Sequence, residues 1–145
     1  MNLEAMDNID NKKVMVYLAV PYTPIIFGKL FKGFWLGWIG KLITWYRFKT
    51  VSKVAAKLIG RGKNVFSPIS HSHVIPLENL NGHLWLELDY WFVKRADVIY
   101  VLDLWGWNKS SGVLTEIDWG RAMKKYIYLI DKKGQILQKL FQYYS

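Results

Sequence analysis

The sequence predicts an α/β fold in which helices cover both faces of a parallel β-sheet. Short apolar runs of strand length recur along the chain, and segments with helical periodicity separate them. Consecutive strands joined by helices require right-handed crossovers, which produce a parallel sheet. The chain has 145 residues, of which 52% are hydrophobic, so it is long enough to bury a core. We therefore expect residues 1–145 to form a single domain.

The first half of the chain contains two predicted strands and one predicted helix. Residues 13–20 form an apolar run that ends before Pro21, which has no backbone N–H to donate to a sheet. Residues 47–59 predict a helix that stops at Gly60. A brief second strand follows at residues 64–68. The predicted helix has one apolar face, made of Val51, Val54, Ala55 and Leu58.

The second half continues the alternation. Residues 80–95 predict a second helix, and residues 97–104 are the strongest strand candidate. Residues 113–125 predict a third helix, and residues 126–130 predict another buried strand. The expected apolar face of the second helix consists of Leu84, Leu88, Trp91 and Phe92.

Composition restricts the function classes. The chain has no cysteine, which excludes disulfides, thiol catalysis and thiolate metal sites. The first eleven residues are too polar for a secretory signal, so we expect a cytoplasmic protein. A net charge of +9 favours anionic partners. The 20 Lys and Arg are scattered, however, and no recognition-helix motif is visible, so we expect no binding of double-stranded nucleic acid.

The segment 25–46, IIFGKLFKGFWLGWIGKLITWY, is an aromatic amphipathic insertion. Three Lys and four Gly argue against a transmembrane span. We interpret it as a lid or a subunit-contact hairpin, with contact to a membrane surface as the less favoured alternative. Because its aromatic face is too large to leave in water, we expect a homo-oligomer, dimer or larger. The expected face consists of Phe27, Phe31, Phe34, Trp38, Leu42 and Trp45.

Open sheets of this class bind ligands at the carboxyl ends of their strands, and polar residues cluster there in this chain. These clusters comprise Tyr17 with 21–23, residues 67–73, residues 103–111 and Asp131, while Asp89 on the preceding helix is within reach of the same edge.

The residues at this edge also have structural interpretations. A glutamate in the first turn of a helix, as we expect Glu116 to be, complements the helix dipole, which would also keep it ionised. Ser110 and Ser111 are suitable N-cap residues, although a helix start is also an anion site. His71 and His73 have the spacing of alternate positions in an extended segment and suit a pocket wall better than a metal site.

Several ordered motifs make a more specific pattern together than any one of them alone. They are YLAVPY at 17–22, Arg47, SPISHSH at 67–73, Trp85, Asp89, Ala96-Asp97 and GWNKSSGVLTE at 106–116. This pattern resembles the nucleoside 2-deoxyribosyltransferase superfamily. More narrowly, it resembles a small branch of that superfamily that is common in bacteria and their viruses and is related to the 2'-deoxynucleoside 5'-phosphate N-hydrolases. The resemblance implies a Rossmann- or flavodoxin-like three-layer sandwich with a four- or five-stranded parallel sheet.

The resemblance also implies catalytic roles. Glu116 falls on the nucleophile that attacks the anomeric carbon of a deoxynucleoside or its monophosphate, giving a glycosyl ester and overall retention of configuration. Asp89 falls on a second carboxyl group, which would protonate the leaving base, and Tyr17 would steer Glu116 or bond to it. With water as acceptor the enzyme is an N-glycoside hydrolase, and with a second nucleobase it is a deoxyribosyltransferase. We expect no cofactor and no metal.

The expected substrate-binding residues surround these three. The related hydrolases have a Gly-Ser-Ile-Arg type of loop after the first strand, where this chain has Ala-Val-Pro-Tyr at 19–22. Arg47 or Lys109 would then supply the charge for a 5'-phosphate. The alternative function is a module that binds or sequesters a nucleotide without catalysis. The expected binding residues are Pro21, Tyr22, Arg47, Ser67, His71, His73, Trp107, Ser110, Ser111 and Gly112.

Overall fold

The computed structural model describes residues 14–21, 34–73, 75 and 82–141, and these form an α/β sandwich. Its five-stranded sheet has the order β2-β1-β3-β4-β5. The strands are β1 Met15–Ala19, β2 Asn64–Phe66, β3 Val98–Leu102, β4 Tyr126–Ile130 and β5 Ile136–Phe141. The helices are α1 Phe34–Gly60, α2 Pro68–Ser72, α3 Gly82–Arg95 and α4 Ser111–Ala122.

The first four strands are parallel, which confirms the predicted fold class. The sheet has five strands, within the expected four or five, but the position and the antiparallel direction of β5, which pairs with β4 after a tight loop, were not predicted. The side chain of Asp131 organises that loop by accepting hydrogen bonds of 2.8 Å from the backbone N–H groups of Lys133 and Gln135. Asp131 therefore has a structural task at the end of β4.

Two apolar layers sandwich the sheet, because successive side chains of a strand point to opposite faces. On one face, Val16 and Leu18 pack against α1. On the other face, Tyr17 and Ala19 pack against α3 and α4. Each of these four side chains has no exposed surface. Tyr17 is thus directed to the side of the sheet on which α4 lies.

Gly120 allows α4 to approach the sheet closely. A Cβ atom at this position would overlap Cδ1 of Ile99 on β3 and lie 3.1 Å from Cδ1 of Ile127 on β4. The absence of a side chain therefore sets the height of α4 above the strands. Because Glu116 lies one turn earlier on the same helix, Gly120 also helps to set the position of that carboxyl group.

The prediction of a helix at 47–59 was too short. The helix begins at Phe34 and continues without a break to Gly60, so the part of the 25–46 segment that is described is helical and forms no hairpin. Residues 25–33 lie outside the described residues. Gly37 and Gly40 do not end the helix, since a glycine in a helix interior costs only about 1 kcal/mol. No helix among the described residues has both the length and the apolar character that a bilayer crossing requires.

Two further local predictions were wrong. His71 and His73 belong to a helical turn and not to an extended segment, because Ser67 caps α2 and Pro68 occupies its first position. On α3, Leu84 and Trp91 are exposed, whereas Val93 is fully buried. The face of α3 that contacts the sheet is therefore rotated from the predicted one.

Candidate active site

A buried hydrogen bond between Tyr17 and Glu116 forms the centre of the candidate site. The Tyr17 hydroxyl donates to Oε1 of Glu116 at 2.7 Å. Tyr17 has no exposed surface and Glu116 is only 9% exposed. Oε2 of Glu116 is also buried, and it has no hydrogen-bond partner among the described residues. Because buried polar atoms are nearly always paired, an unpaired carboxyl oxygen at this sheet edge indicates a place for a ligand.

The sequence predicted Glu116 in the first turn of its helix, but it lies in the second turn. The helix begins at Ser111, two residues before the predicted start, and its first turn has no acidic residue. The effect of the helix dipole falls off within the first turn, so it contributes little at Glu116. Burial instead raises the pKa of Glu116 to about 8, with a smaller opposing effect from the Tyr17 hydrogen bond and a further increase from the charge of Asp89. The expectation that the dipole keeps this group ionised was therefore wrong.

Asp89 is the third member of this group. It is half-buried on α3, which packs beside α4. Burial raises its pKa to about 6. Its charge raises the pKa of Glu116 and also that of Tyr17, so the three groups lie within electrostatic range of one another. Burial also raises the pKa of Tyr17 well above its ordinary value, which keeps its hydroxyl protonated as a donor to Glu116.

An aromatic wall beside this group was not predicted from the sequence. The ring of Phe66 lies 5.9 Å from that of Tyr17 and stacks on Phe92 at 3.5 Å between centroids. His71 lies 5.5 Å from Phe66 on the exposed side of this wall. The only sequence feature that could have indicated this wall was the position of Phe66, which ends β2 at the carboxyl edge of the sheet.

The start of α4 brings four of the expected binding residues to the same edge. Ser110 caps the helix, and its Oγ accepts a hydrogen bond of 3.5 Å from the Val113 N–H. Ser111 and Gly112 are exposed in the first turn, where backbone N–H groups have no acceptor within the helix. Trp107, in the 3-10 turn before α4, packs on the core layer that contains Tyr17.

Arg47 joins two loops that border the edge. Its Nη1 donates to the Pro21 carbonyl at 3.0 Å, and its Nη2 donates to the Trp105 carbonyl at 2.9 Å. The guanidinium group is buried, with 4% of the residue exposed. Arg47 therefore fixes the loop after β1 to the loop after β3, and the part played by Trp105 could not be seen in the sequence because it uses a backbone oxygen.

The remaining predicted residues fall in three places. Ser67 is buried as the cap of α2, with its Oγ 3.4 Å from the Ser70 N–H. His73 is exposed and stacks on Phe48 at 3.9 Å, on the side of the sheet away from Tyr17. Tyr22 lies outside the described residues.

Residues 14–132 match the family described as a domain of unknown function, DUF1937. The chain belongs to the DUF1937 family. The match includes Tyr17, Asp89 and Glu116, so the whole candidate catalytic group lies within the DUF1937 domain. The sequence matches none of the curated proteins.

Solved structures show which fold the DUF1937 domain has. A 2-deoxyribosyltransferase from the psychrotolerant bacterium Bacillus psychrosaccharolyticus aligns with a TM-score of 0.52 and 19% identity, over 86% of this chain and 77% of that one. The Clostridium botulinum CMP N-glycosidase BcmB aligns with a TM-score of 0.51 and 19% identity, over 81% of this chain and 71% of that one. BlsM, solved in solution, aligns with a TM-score of 0.54 and 19% identity, over 81% and 65% of the two chains. The resemblance to the nucleoside 2-deoxyribosyltransferase superfamily is thus confirmed as a shared fold.

Proposed function

We propose that this DUF1937 domain breaks the N-glycosidic bond of deoxynucleosides or their monophosphates through a covalent intermediate on Glu116. The observation that carries the proposal is the state of the Glu116 carboxyl group. One of its oxygens is held by Tyr17, and the other is buried without a described partner at the edge of the sheet where ligands bind. A nucleophilic carboxylate needs this combination, since one oxygen is positioned and the other is engaged by no other described group.

The reaction proceeds in two displacements. Oε2 of Glu116 forms a bond to the anomeric carbon while the bond from that carbon to the base nitrogen breaks, and the bonding electron pair leaves with the base. Asp89 donates the proton that the departing base requires. Water or a second nucleobase then attacks the anomeric carbon and gives its proton to the Asp89 carboxylate, which releases the Glu116 carboxylate and restores the original configuration. The first acceptor gives hydrolysis and the second gives deoxyribosyl transfer.

The two carboxyl groups set the pH range of this reaction. The raised pKa values, about 6 for Asp89 and about 8 for Glu116, leave one proton on the pair between these values. The reactive form is the less populated of the two singly protonated arrangements, with that proton on Asp89 and the negative charge on Glu116. A poorly solvated carboxylate gains stabilisation as positive charge develops on the sugar, so burial favours the transition state over the ground state. We expect a bell-shaped dependence of kcat/KM on pH, with limbs near 6 and 8.

The structural neighbours support this reaction class. Two of them are named as a 2-deoxyribosyltransferase and a CMP N-glycosidase, and both have the fold of this chain. The exposed first turn of α4, with Ser110 as its cap, is suited to a 5'-phosphate because helix N-termini stabilise anions. We therefore include deoxynucleoside monophosphates among the substrates.

The test is base release from a panel of deoxynucleosides and deoxynucleotides, followed by chromatography. We expect free base with the wild type and none with Glu116→Gln, because an amide cannot form the glycosyl ester. Glu87→Gln is the matched control, since Glu87 is exposed on α3 and its nearest ionic partner is the surface residue His83. Mass spectrometry with a 2-fluoro-substituted deoxynucleoside should show a sugar adduct on the peptide that contains Glu116. An active Glu116→Gln protein, or an adduct on another residue, would refute the assignment.

One observation favours the alternative, a module that binds a nucleotide without turnover. With its pKa near 8, Glu116 is mostly protonated at pH 7 and can donate a hydrogen bond to a ligand. Tight nucleotide binding by calorimetry, with no base released over the same pH range, would establish this function in place of catalysis.

A further inference from the structure

The first half of helix α1 has an apolar outer surface. Trp38, Leu42 and Trp45 follow one another at intervals of four and three residues, so they share one side of the helix. The core side chains Val51, Val54 and Leu58 lie on the opposite side of the same helix. Trp38 is 62% exposed, Leu42 is 48% exposed and Trp45 is 55% exposed. Large side chains so exposed and so close together mark an interaction surface.

In the second half of α1, the same side of the helix carries lysine side chains. Lys49 follows Trp45 by four residues, and its ammonium group lies 5.6 Å from the Trp45 ring centre. Lys53 follows after four more residues and is also exposed. At the side of this helix Lys132 donates a hydrogen bond of 2.8 Å to the Tyr46 hydroxyl. We name Trp38, Leu42, Trp45, Lys49 and Lys53 the outer stripe of α1.

The segment of sequence that contains this stripe carries charge of a single sign. Residues 11–77 contain no Asp and no Glu, so all acidic residues of the chain lie elsewhere in the sequence. Within the described part of the chain, no carboxylate pairs with Lys41, Lys49 or Lys53. The stripe therefore combines exposed indole rings with cations that have no acidic neighbour in the sequence around them.

We propose that the outer stripe of α1 binds the surface of an anionic lipid bilayer. Helices that lie in a membrane interface present tryptophan and leucine to the acyl boundary and lysine to the headgroups. Each lysine near an anionic leaflet adds to the attraction, and indole rings are enriched at the level of the headgroups. An apolar groove of about 610 Å³ between the stripe and His73 enlarges the carbon surface that such contact would cover.

A second copy of the chain fits the stripe less well. In a two-fold interface the same patch meets itself, so the lysines of each copy would face a stripe that offers no carboxylate to pair with them. A double-stranded nucleic acid would use the lysines but would leave Leu42 and the indole rings without a function, because its bases are already stacked on one another. The lipid surface is the partner that uses both kinds of side chain.

The experiment is sedimentation of the full chain with vesicles of phosphatidylcholine alone or mixed with an equal amount of phosphatidylglycerol. We expect binding to the mixed vesicles only. Two double variants test the stripe, one with Trp38→Ser and Trp45→Ser and the other with Lys49→Glu and Lys53→Glu. Each should weaken binding to the mixed vesicles by at least about tenfold. The matched control is Trp91→Ser with Lys94→Glu on α3, where a tryptophan and a lysine are similarly exposed, and it should bind like the wild type. Circular dichroism verifies that each variant is folded.

Four outcomes would overturn the proposal. The first is no sedimentation with the mixed vesicles. The second is an equal loss in the α3 control, which would mean that binding does not depend on the outer stripe. The third is binding to a DNA duplex as tight as binding to vesicles and insensitive to the tryptophan pair, which would assign the stripe to nucleic acid. A tryptophan variant that keeps vesicle binding but changes the mass measured by light scattering would instead assign the stripe to a second copy.

Discussion

The hydroxyl of Tyr17 donates a hydrogen bond of 2.7 Å to Oε1 of Glu116, a residue 99 positions later in the sequence. Tyr17 belongs to a strand inside the sheet, and Glu116 belongs to the second turn of a helix on one face. The bond therefore fixes a side chain of α4 relative to β1. It also acts on the charge of that side chain, because it opposes the increase that burial causes in the pKa of Glu116.

Replacing Tyr17 by Phe should change the pH dependence as well as the rate. Without the hydrogen bond the pKa of Glu116 rises further, so less of the enzyme has the charge on Glu116 and the proton on Asp89. We expect kcat/KM at pH 7 to fall by about tenfold or more, and the alkaline limb to move to higher pH. Tyr128→Phe is the matched control, since Tyr128 is similarly buried but packs in the layer on the opposite face. A profile that is lower but unshifted would mean that Tyr17 acts without changing the pKa of Glu116, and an unchanged profile would mean that it only fills space.

Replacing Asp89 by Asn should remove the alkaline limb. The leaving base then has no proton donor, and we expect a loss of about 10² to 10⁴ in kcat for substrates with poor leaving groups. The pKa of Glu116 should also fall, because the charge of Asp89 raises it in the wild type. Activity should therefore rise with pH to a plateau whose midpoint lies below 8. A substrate with an activated leaving group should regain most of the rate, and failure to do so would remove Asp89 from the role of acid.

Glu116 should make the stability of the wild type depend on pH. Its pKa is raised from 4.5 to about 8 by folding, so its contribution is fully present below about pH 4.5 and is lost as the pH rises through about 8. A pKa that differs by one between the folded and unfolded chain corresponds to about 1.4 kcal/mol of unfolding free energy. Glu116→Gln has no such dependence, and its amide oxygen can still accept from Tyr17. Thermal unfolding between about pH 5 and pH 8 should show the variant gaining Tm relative to the wild type, and a constant difference would contradict the burial of this carboxyl group.

A methyl group at position 120 should separate α4 from the sheet. Gly120→Ala would collide with Ile99 and crowd Ile127, and overpacking of a buried layer costs about 1 to 3 kcal/mol. Ile99→Val removes the colliding atom, so the double variant should be destabilised by less than the sum of the two single variants. Urea unfolding of the four proteins measures this coupling. Simple additivity would mean that α4 is not held against Ile99 as described.

The bounds of the strands were predicted more accurately from the sequence than the bounds of the helices. Residues 126–130 were assigned as a strand with the bounds that the structure has, because a fully apolar run there is flanked by Lys125 and Asp131. The start of α1 was missed by thirteen residues, between Arg47 and Phe34. Glycines near the start of that helix resemble stop signals in the sequence, but they are tolerated within it.

The candidate site shows a similar division. The motif pattern selected Tyr17, Asp89 and Glu116 before their proximity was known, and their catalytic roles remain predictions. The pKa of Glu116 could not be predicted, because its direction depends on how completely other atoms exclude water from the carboxyl group. The contact of Arg47 with the Trp105 carbonyl was equally invisible, since it depends on where a backbone oxygen points.

The position of β1 within the sheet has a consequence for how the site can fail. This strand is paired on both sides, with β2 and with β3, and Tyr17 has no exposed surface. Amide hydrogens in such a strand exchange with solvent only when the whole domain opens, whereas helix ends and loops exchange through local fluctuations. We therefore expect the group that holds Glu116 to belong to the slowly exchanging core, and to disengage only at the denaturant concentration that unfolds the protein.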